Sequence, residues 1–270
     1  MLMRTTSEGI HSSINLGYFE LNDIPYLCLI ESIKHSEEDI LISIDSAKSK
    51  ILDLAIHGKL VPQDANDEPA SELLKRINPK AVASCDNPQY EQIPDGWSVC
   101  ALDYITDILN GYAFKSDKYV DNGIRVIRIM NVQDGYIEDD SPKYYPMELL
   151  QEIKNYILND GDLLMSLTGN VGRVSVISKQ FLPAALNQRV ACIRITAGIN
   201  KEYLYYVFLS NTFKKDSVKS SKGVAQLNMS TEWLKQYKIC IPPYNEQIRI
   251  VSKVKELFSQ LDMIEKSLQA

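Results

Sequence analysis

Paired cysteines are missing from this chain. Cys28, Cys85, Cys100, Cys192 and Cys240 lie far apart, with no Cys-x-x-Cys, and only His11, His35 and His57 could assist them. No zinc constellation is present in that set. An odd, scattered group of thiols fits reduced core cysteines in a cytoplasmic protein, and no cofactor is expected. Long apolar runs are also lacking. The longest early one, Ile24 to Ile30, is too short and too interrupted for a signal or a membrane span. A basic excess is missing as well: 29 basic against 35 acidic residues leave a net charge of −6. Taken whole, that opposes binding to phosphates.

Catalytic signatures are equally scarce. The glycine spacing matches neither a P-loop nor a dinucleotide fingerprint. There is no Ser/His/Asp set, no paired acid and base, and no Asp…Glu-x-Lys cluster. Ile241-Pro-Pro-Tyr244 resembles the Asp/Asn-Pro-Pro-aromatic motif of amino-methyltransferases. Ile at its first position cannot hydrogen-bond a target amine, and no glycine-rich S-adenosylmethionine loop accompanies it.

What is present suits a mixed α+β protein. At 270 residues with 45% hydrophobic side chains, a real core is expected, in one large domain or one domain with an appended element. Residues 1–35 show no clear period and form an unassigned lead-in. Residues 36–90 read as a helix and a connector. Ser36 can cap the helix, Glu37, Glu38 and Asp39 suit its first turn, and Gly58 lies just past its end. Ile40, Ile44, Ala47, Ile51 and Leu54 alternate spacings of four and three, the pattern of a coiled-coil seam. A short helix is expected at 69–77.

Residues 91–245 change character and hold both tryptophans and 12 of the 15 tyrosines. Ile124 to Ile129 and Val190 to Ile195 read as strands, and 147–155 and 201–213 as helices. Residues 246–270 return to helix, with Asn245 as its cap and Val251, Val254, Phe258 and Leu261 as a second seam. Two seam-bearing helices therefore flank one globular α/β domain, and their apolar stripes should pack on each other or on a second copy.

Charge is unevenly placed. The two flanks hold 12 basic and 18 acidic residues, which accounts for the whole net charge. Residues 91–160 hold 6 basic and 13 acidic side chains, whereas 161–245 hold 11 and 4. The second half of the domain can thus build a basic surface. Four polar clusters stand out. Gly111-Tyr-Ala-Phe114-Lys115-Ser116 is a glycine loop with an aromatic anchor and two phosphate-type side chains. Ser166-Leu-Thr168-Gly169-Asn170-Val-Gly172-Arg173 runs from a strand into a polar loop. Asn187-Gln188-Arg189 precedes a strand. Lys219-Ser-Ser-Lys222-Gly223-Val-Ala-Gln226-Leu-Asn228 is a flexible loop with two lysines. Such side chains can meet phosphates or base edges. Each cluster alone also fits an ordinary surface loop or, for Asn187 and Gln188, a structural amide network.

In this order the chain resembles specificity subunits of type I restriction–modification systems. The resemblance covers about residues 40–270. It rests on Ile51-Leu-Asp-Leu-Ala-Ile-His-Gly-Lys-Leu-Val-Pro-Gln63, Asn66-Asp-Glu-Pro-Ala-Ser-Glu-Leu-Leu74, Ile93-Pro-Asp-Gly-Trp97 and Ile241-Pro-Pro-Tyr-Asn-Glu-Gln-Ile-Arg-Ile-Val251, with the glycine, Asn-Gln-Arg and Lys-Gly-Gln-Asn clusters between. It implies a non-catalytic subunit whose target-recognition domain grips double-stranded DNA. Spacer helices would dock modification (methyltransferase) subunits, and a restriction subunit would join through the complex. The expected DNA contacts are Lys115, Ser116, Ser166, Thr168, Asn170, Arg173, Asn187, Gln188, Arg189, Lys219, Lys222, Gln226 and Asn228. The expected spacer contacts are Ile44, Ile51, Leu54, Val251, Val254, Phe258 and Leu261. Full-length members carry two recognition domains and this chain carries one. It is therefore expected either to form a homodimer that reads a symmetric split site, or to be a truncated cassette needing a partner fragment. The rival readings are a small methyltransferase or nuclease, and an inhibitory or assembly protein that never reads DNA.

Overall fold

Helix α1 (Glu37–Ile56) opens the computed structural model, which describes residues 37–79, 93–196, 198–222 and 227–268. The lead-in 1–35, Ser36 and Gln226 lie outside the described residues, as do Cys28 and Cys85. The C-terminus of α1 is closed by Gly58. Its backbone turns to φ 66°, its N–H donates to the Ala55 carbonyl at 3.3 Å, and the Lys59 N–H donates to the Leu54 carbonyl at 2.9 Å. These are the paired bonds of a Schellman cap. A Cβ at Gly58 would lie 2.4 Å from the Pro94 ring, so glycine is required by both conformation and space. Helix α2 (Ala70–Ile77) follows and buries Ala70, Leu73 and Leu74.

Among the described residues the globular part contains three sheets. Strand β1 (Ser98–Ala101) pairs antiparallel with β9 (Lys238–Ile241), which ties the two ends of the domain together. Strands β2 (Thr106–Asn110), β8 (Val190–Ile195), β5 (Leu163–Ser166) and β6 (Val174–Val176) form a four-stranded sheet in the order β2-β8-β5-β6, antiparallel throughout. Strands β4 (Tyr144–Tyr145), β3 (Ile124–Ile127) and β7 (Ala184–Leu186) form a three-stranded sheet in which β3 and β7 run parallel. Short α3 (Leu150–Ile153) lies between 3-10 turns. Helices α4 (Lys201–Leu209), α5 (Asn211–Ser220) and α6 (Thr231–Gln236) cover the domain, and α7 (Tyr244–Leu268) leaves it. The architecture is mixed α+β with a long final helix.

Three expected boundaries shift. The strand foreseen at Ile124–Ile129 ends at Ile127, and Ile129–Asn131 form a 3-10 turn because the Asn131 side chain accepts the Arg128 N–H at 2.9 Å. The helix foreseen over 201–213 breaks at Ser210. That residue takes an extended backbone and its hydroxyl accepts the Phe213 N–H at 3.3 Å, capping α5. Asn245 is inside the first turn of α7 rather than its cap. Its side chain instead donates to Asp67 at 3.2 Å, and the Pro243 carbonyl takes the first helical bond, from Gln247, at 3.0 Å.

The two long helices run antiparallel. Lys48 of α1 pairs with Asp262 of α7 at 2.7 Å, while the segment just after α1 meets the opposite end of α7 through Gln63 and Glu246 at 3.3 Å. Ile44, Ile51, Val251, Val254 and Leu261 are buried in one cluster, with Leu54 and Phe258 half-buried. The stripe is wider than a coiled-coil seam, because Leu52, Ala55, Ile56, Ile250 and Leu257 are buried too. These side chains join the core of the domain, and the Phe258 ring also lies 6.1 Å from that of Tyr206 on α4. The helices and the domain thus share one core.

Candidate nucleic-acid interface

Strand order decides where the four polar clusters go. β2 ends at Asn110, opposite Ala191 near the start of β8, and β5 ends at Ser166, opposite Val190. The chain segments 111–119, 167–173 and 187–189 therefore all leave the same end of the sheet. Main-chain bonds sew them together. The Tyr112 N–H donates to the Leu186 carbonyl at 2.8 Å, and the Gln188 N–H donates to the Tyr112 carbonyl at 3.0 Å. Gly111 permits that approach, since a Cβ there would lie 2.0 Å from the Asn187 carbonyl oxygen. The Leu167 N–H donates to the Arg189 carbonyl at 3.0 Å. The Gly169 N–H donates to Leu227 at 2.9 Å and the Met229 N–H to Leu167 at 2.9 Å, which brings in the fourth cluster. Lys222 and Asn228 pair through both main-chain bonds, at 3.1 and 3.0 Å.

The expected contact residues then divide. Lys115, Ser116, Asn170, Gln188, Arg189, Lys219, Lys222 and Asn228 are exposed. Phe114 supports the first loop, its ring 4.9 Å from that of Tyr145. Among the described residues no carboxylate pairs with Lys115, Arg189, Lys219 or Lys222, so these four cations are open to solvent. Arg173 is half-buried and donates to Gln133 Oε1 at 2.6 Å, which leaves further guanidinium donors to use.

Ser166 does not belong with them. It is buried, its hydroxyl donates to the Asn170 carbonyl at 2.5 Å, and the Arg173 N–H donates to that same hydroxyl at 3.0 Å. Thr168 is also buried and donates to Asn228 Oδ1 at 3.1 Å. Asn187 Oδ1 accepts the Arg189 N–H at 3.4 Å. Ser166 and Thr168 thus shape the loops instead of facing outward, while Asn187 is only half-buried.

Some of the domain's carboxylates are neutralised within the fold. Arg125 pairs with Asp139 at 2.5 Å, Arg194 with Asp162 at 3.0 Å, and Lys214 with Asp134. Tyr112 donates to Glu152, and that carboxylate pushes the phenol up to about 12. Cys100, Cys192 and Cys240 are buried; burial pushes the Cys100 thiol up to about 12 and Cys192 upward as well. Among the described residues no group of three or more His, Cys, Asp or Glu side chains could hold a metal.

A second constellation was not foreseen as a site. Buried Glu246 accepts from the Trp97 indole at 3.0 Å and from Gln63 at 3.3 Å. Asp67 accepts from Arg249 at 2.7 Å. These bonds clamp the segment after α1, the start of the domain and the start of α7 into one joint. All five residues lie in the stretches that carried the family resemblance, so the signal was present but its role was not legible.

Polar loops thus gather at one sheet end, on a domain braced by an antiparallel helix pair. The chain belongs to the type I restriction–modification specificity family: residues 94–270 match the family model described as "Type I restriction modification DNA specificity domain". It is 36% identical over 235 residues to the type I restriction enzyme EcoAI specificity subunit of Escherichia coli, covering 80% of this chain and 40% of that one. It is 30% identical over 255 residues to the EcoEI specificity subunit of the same organism, covering 84% and 42%. The chain thus spans under half the length of these relatives. Its fold is similar to that of the HsdS subunit from Thermoanaerobacter tengcongensis, with a TM-score of 0.52 at 16% identity, over 85% of this chain and 52% of that one. Among the described residues no helix is long and apolar enough to cross a membrane.

Proposed function

We propose that this chain reads one half of a split DNA target for a type I restriction–modification complex and performs no chemistry itself. The observation that carries this reading is the meeting of four loops at one sheet end, with Lys115, Arg189, Lys219 and Lys222 unpaired by carboxylates among the described residues. In this reading those cations hold phosphates, which positions the domain without selecting sequence. Asn170, Gln188, Asn228 and Arg173 are the base readers, with Gln226 as a further candidate. Ser116 adds a phosphate contact. Ser166, Thr168 and Asn187 hold the loops in shape.

The helix pair α1 and α7 would dock the modification subunits, through which the restriction subunit joins. Two copies of the chain would form a homodimer that presents two recognition domains. Ile248 and Met263, exposed apolar side chains on α7, support a partner there.

Sequence-dependent methylation by cognate modification subunits mixed with this chain tests the proposal. One recurrent DNA sequence should be methylated, and mass measurement should find two copies of the chain per complex. Methylation without sequence preference would leave a structural or inhibitory role instead, and a strict monomer in the complex would remove the homodimer.

A further inference from the structure

The acidic half of the domain contributes an apolar side chain to the loop surface. Met130 is 51% exposed. With Ile129 it lines a shallow depression whose other wall is Thr168, Gly169, Asn170 and Arg173. An apolar side chain left in water forgoes transfer free energy, and a pliable loop would fold it away. Here the frame prevents that. Asn131 is buried, accepts the Arg128 N–H at 2.9 Å and donates to the Glu138 carbonyl at 2.7 Å. The Arg128 guanidinium donates to the Ser141 carbonyl at 2.6 Å. Gln133 ties the two walls together: its amide nitrogen donates to the Met130 carbonyl at 3.0 Å, and its oxygen accepts from Arg173 at 2.6 Å. The Met130 main chain is thus held in place beside the side chains best suited to base edges.

The neighbours narrow what it can meet. Asn170 and Arg173 offer donors and acceptors of the kind that match purine edges, and the apolar group that a base displays in the major groove is the 5-methyl of thymine. We propose that Met130 is a specificity-determining residue that packs on a thymine methyl within the recognised half-site. This rests on the DNA-reading function proposed above. Arg173 and Asn170 then select by hydrogen bonds, while Met130 selects by shape and desolvation, at a position that hydrogen bonding alone leaves open.

The test uses the chain assembled with its modification subunits. Bound duplexes are first selected from a random-sequence pool. Each thymine of the selected site is then replaced by deoxyuridine, which pairs identically but lacks the methyl. One replacement should weaken binding by about fourfold, the equivalent of about 0.8 kcal/mol for one buried carbon group. Met130→Ala should bind the thymine and deoxyuridine duplexes alike, and Met130→Leu should keep most of the difference. The side chain is exposed, so both variants should melt like the parent. The inference is overturned if Met130→Ala retains the full deoxyuridine penalty, if no replacement weakens the parent, or if the selected half-site contains no thymine. Failure to select any sequence would sink the DNA-reading function itself, and this inference with it.

Discussion

Arg189 and Asn170 lie on loops joined by the Leu167–Arg189 main-chain bond but should behave differently when removed. Arg189 is exposed and meets no carboxylate among the described residues, so its guanidinium suits a phosphate. Arg189→Ala should weaken binding to every sequence alike and lower the slope of log affinity against log salt by about one. Asn170 is exposed on the rim of the depression beside Arg173. Asn170→Ala should cost about 1–3 kcal/mol of discrimination at one base position and leave the salt slope nearly unchanged. Competition binding across a salt series separates the two. Equal loss of discrimination in both variants would refute the division of roles. Ser166→Ala makes a third case. Its hydroxyl is spent inside the loop, so the main loss should be about 1 kcal/mol of stability rather than a phosphate contact.

The joint between the helices and the domain has an electrostatic character that stability measurements can read. Burial pushes the Glu246 carboxyl above its ordinary 4.5, against the opposing pull of the Gln63 and Trp97 bonds. The folded state therefore holds that proton more tightly than the unfolded chain does. Its contribution is fully present below 4.5 and is lost as pH rises through the folded value. Asp67 has the reverse sign: the Arg249 guanidinium holds it below its ordinary 3.8, so its contribution is lost on acidification. Glu246→Gln keeps an acceptor for Trp97 and removes the titration. The variant should gain relative to the parent as pH rises from about 4.5 toward neutrality, measured as urea midpoints. Parallel profiles would contradict this account. The same joint gives the motif stretches around Gly58, Gln63, Trp97 and Glu246 a structural role. They hold the pieces together through buried, mutually satisfied polar contacts.

One apolar cluster runs from Ile44 through the domain to Leu261, so the helix pair and the recognition domain should unfold together. Leu257→Ala, at a buried position of α7, should cost about 2–5 kcal/mol and shift circular dichroism and tryptophan fluorescence by the same amount. Loss of the helix signal before the tryptophan signal would show that the helices are a separate unit.

Local order was legible along the chain. The acids after Ser36, the glycine at 58 and the three-four spacing of Ile44, Ile51, Val251 and Val254 mark helices because capping and helical period act over a few residues. The continuous apolar run Val190–Ile193 marks a strand buried on both faces. The ordered motifs were enough to name a family. Placement of the site was another matter. Residues 111, 167, 187 and 222 come together because β2, β8 and β5 pair across long stretches of sequence, and no local pattern encodes such pairing. The side chains in those loops follow no period, so their direction depends on which main-chain partners surround them. Hence Ser166 and Thr168 turn inward although they look like contacts, while Met130, in the half that charge had marked as unpromising, is held out beside Arg173.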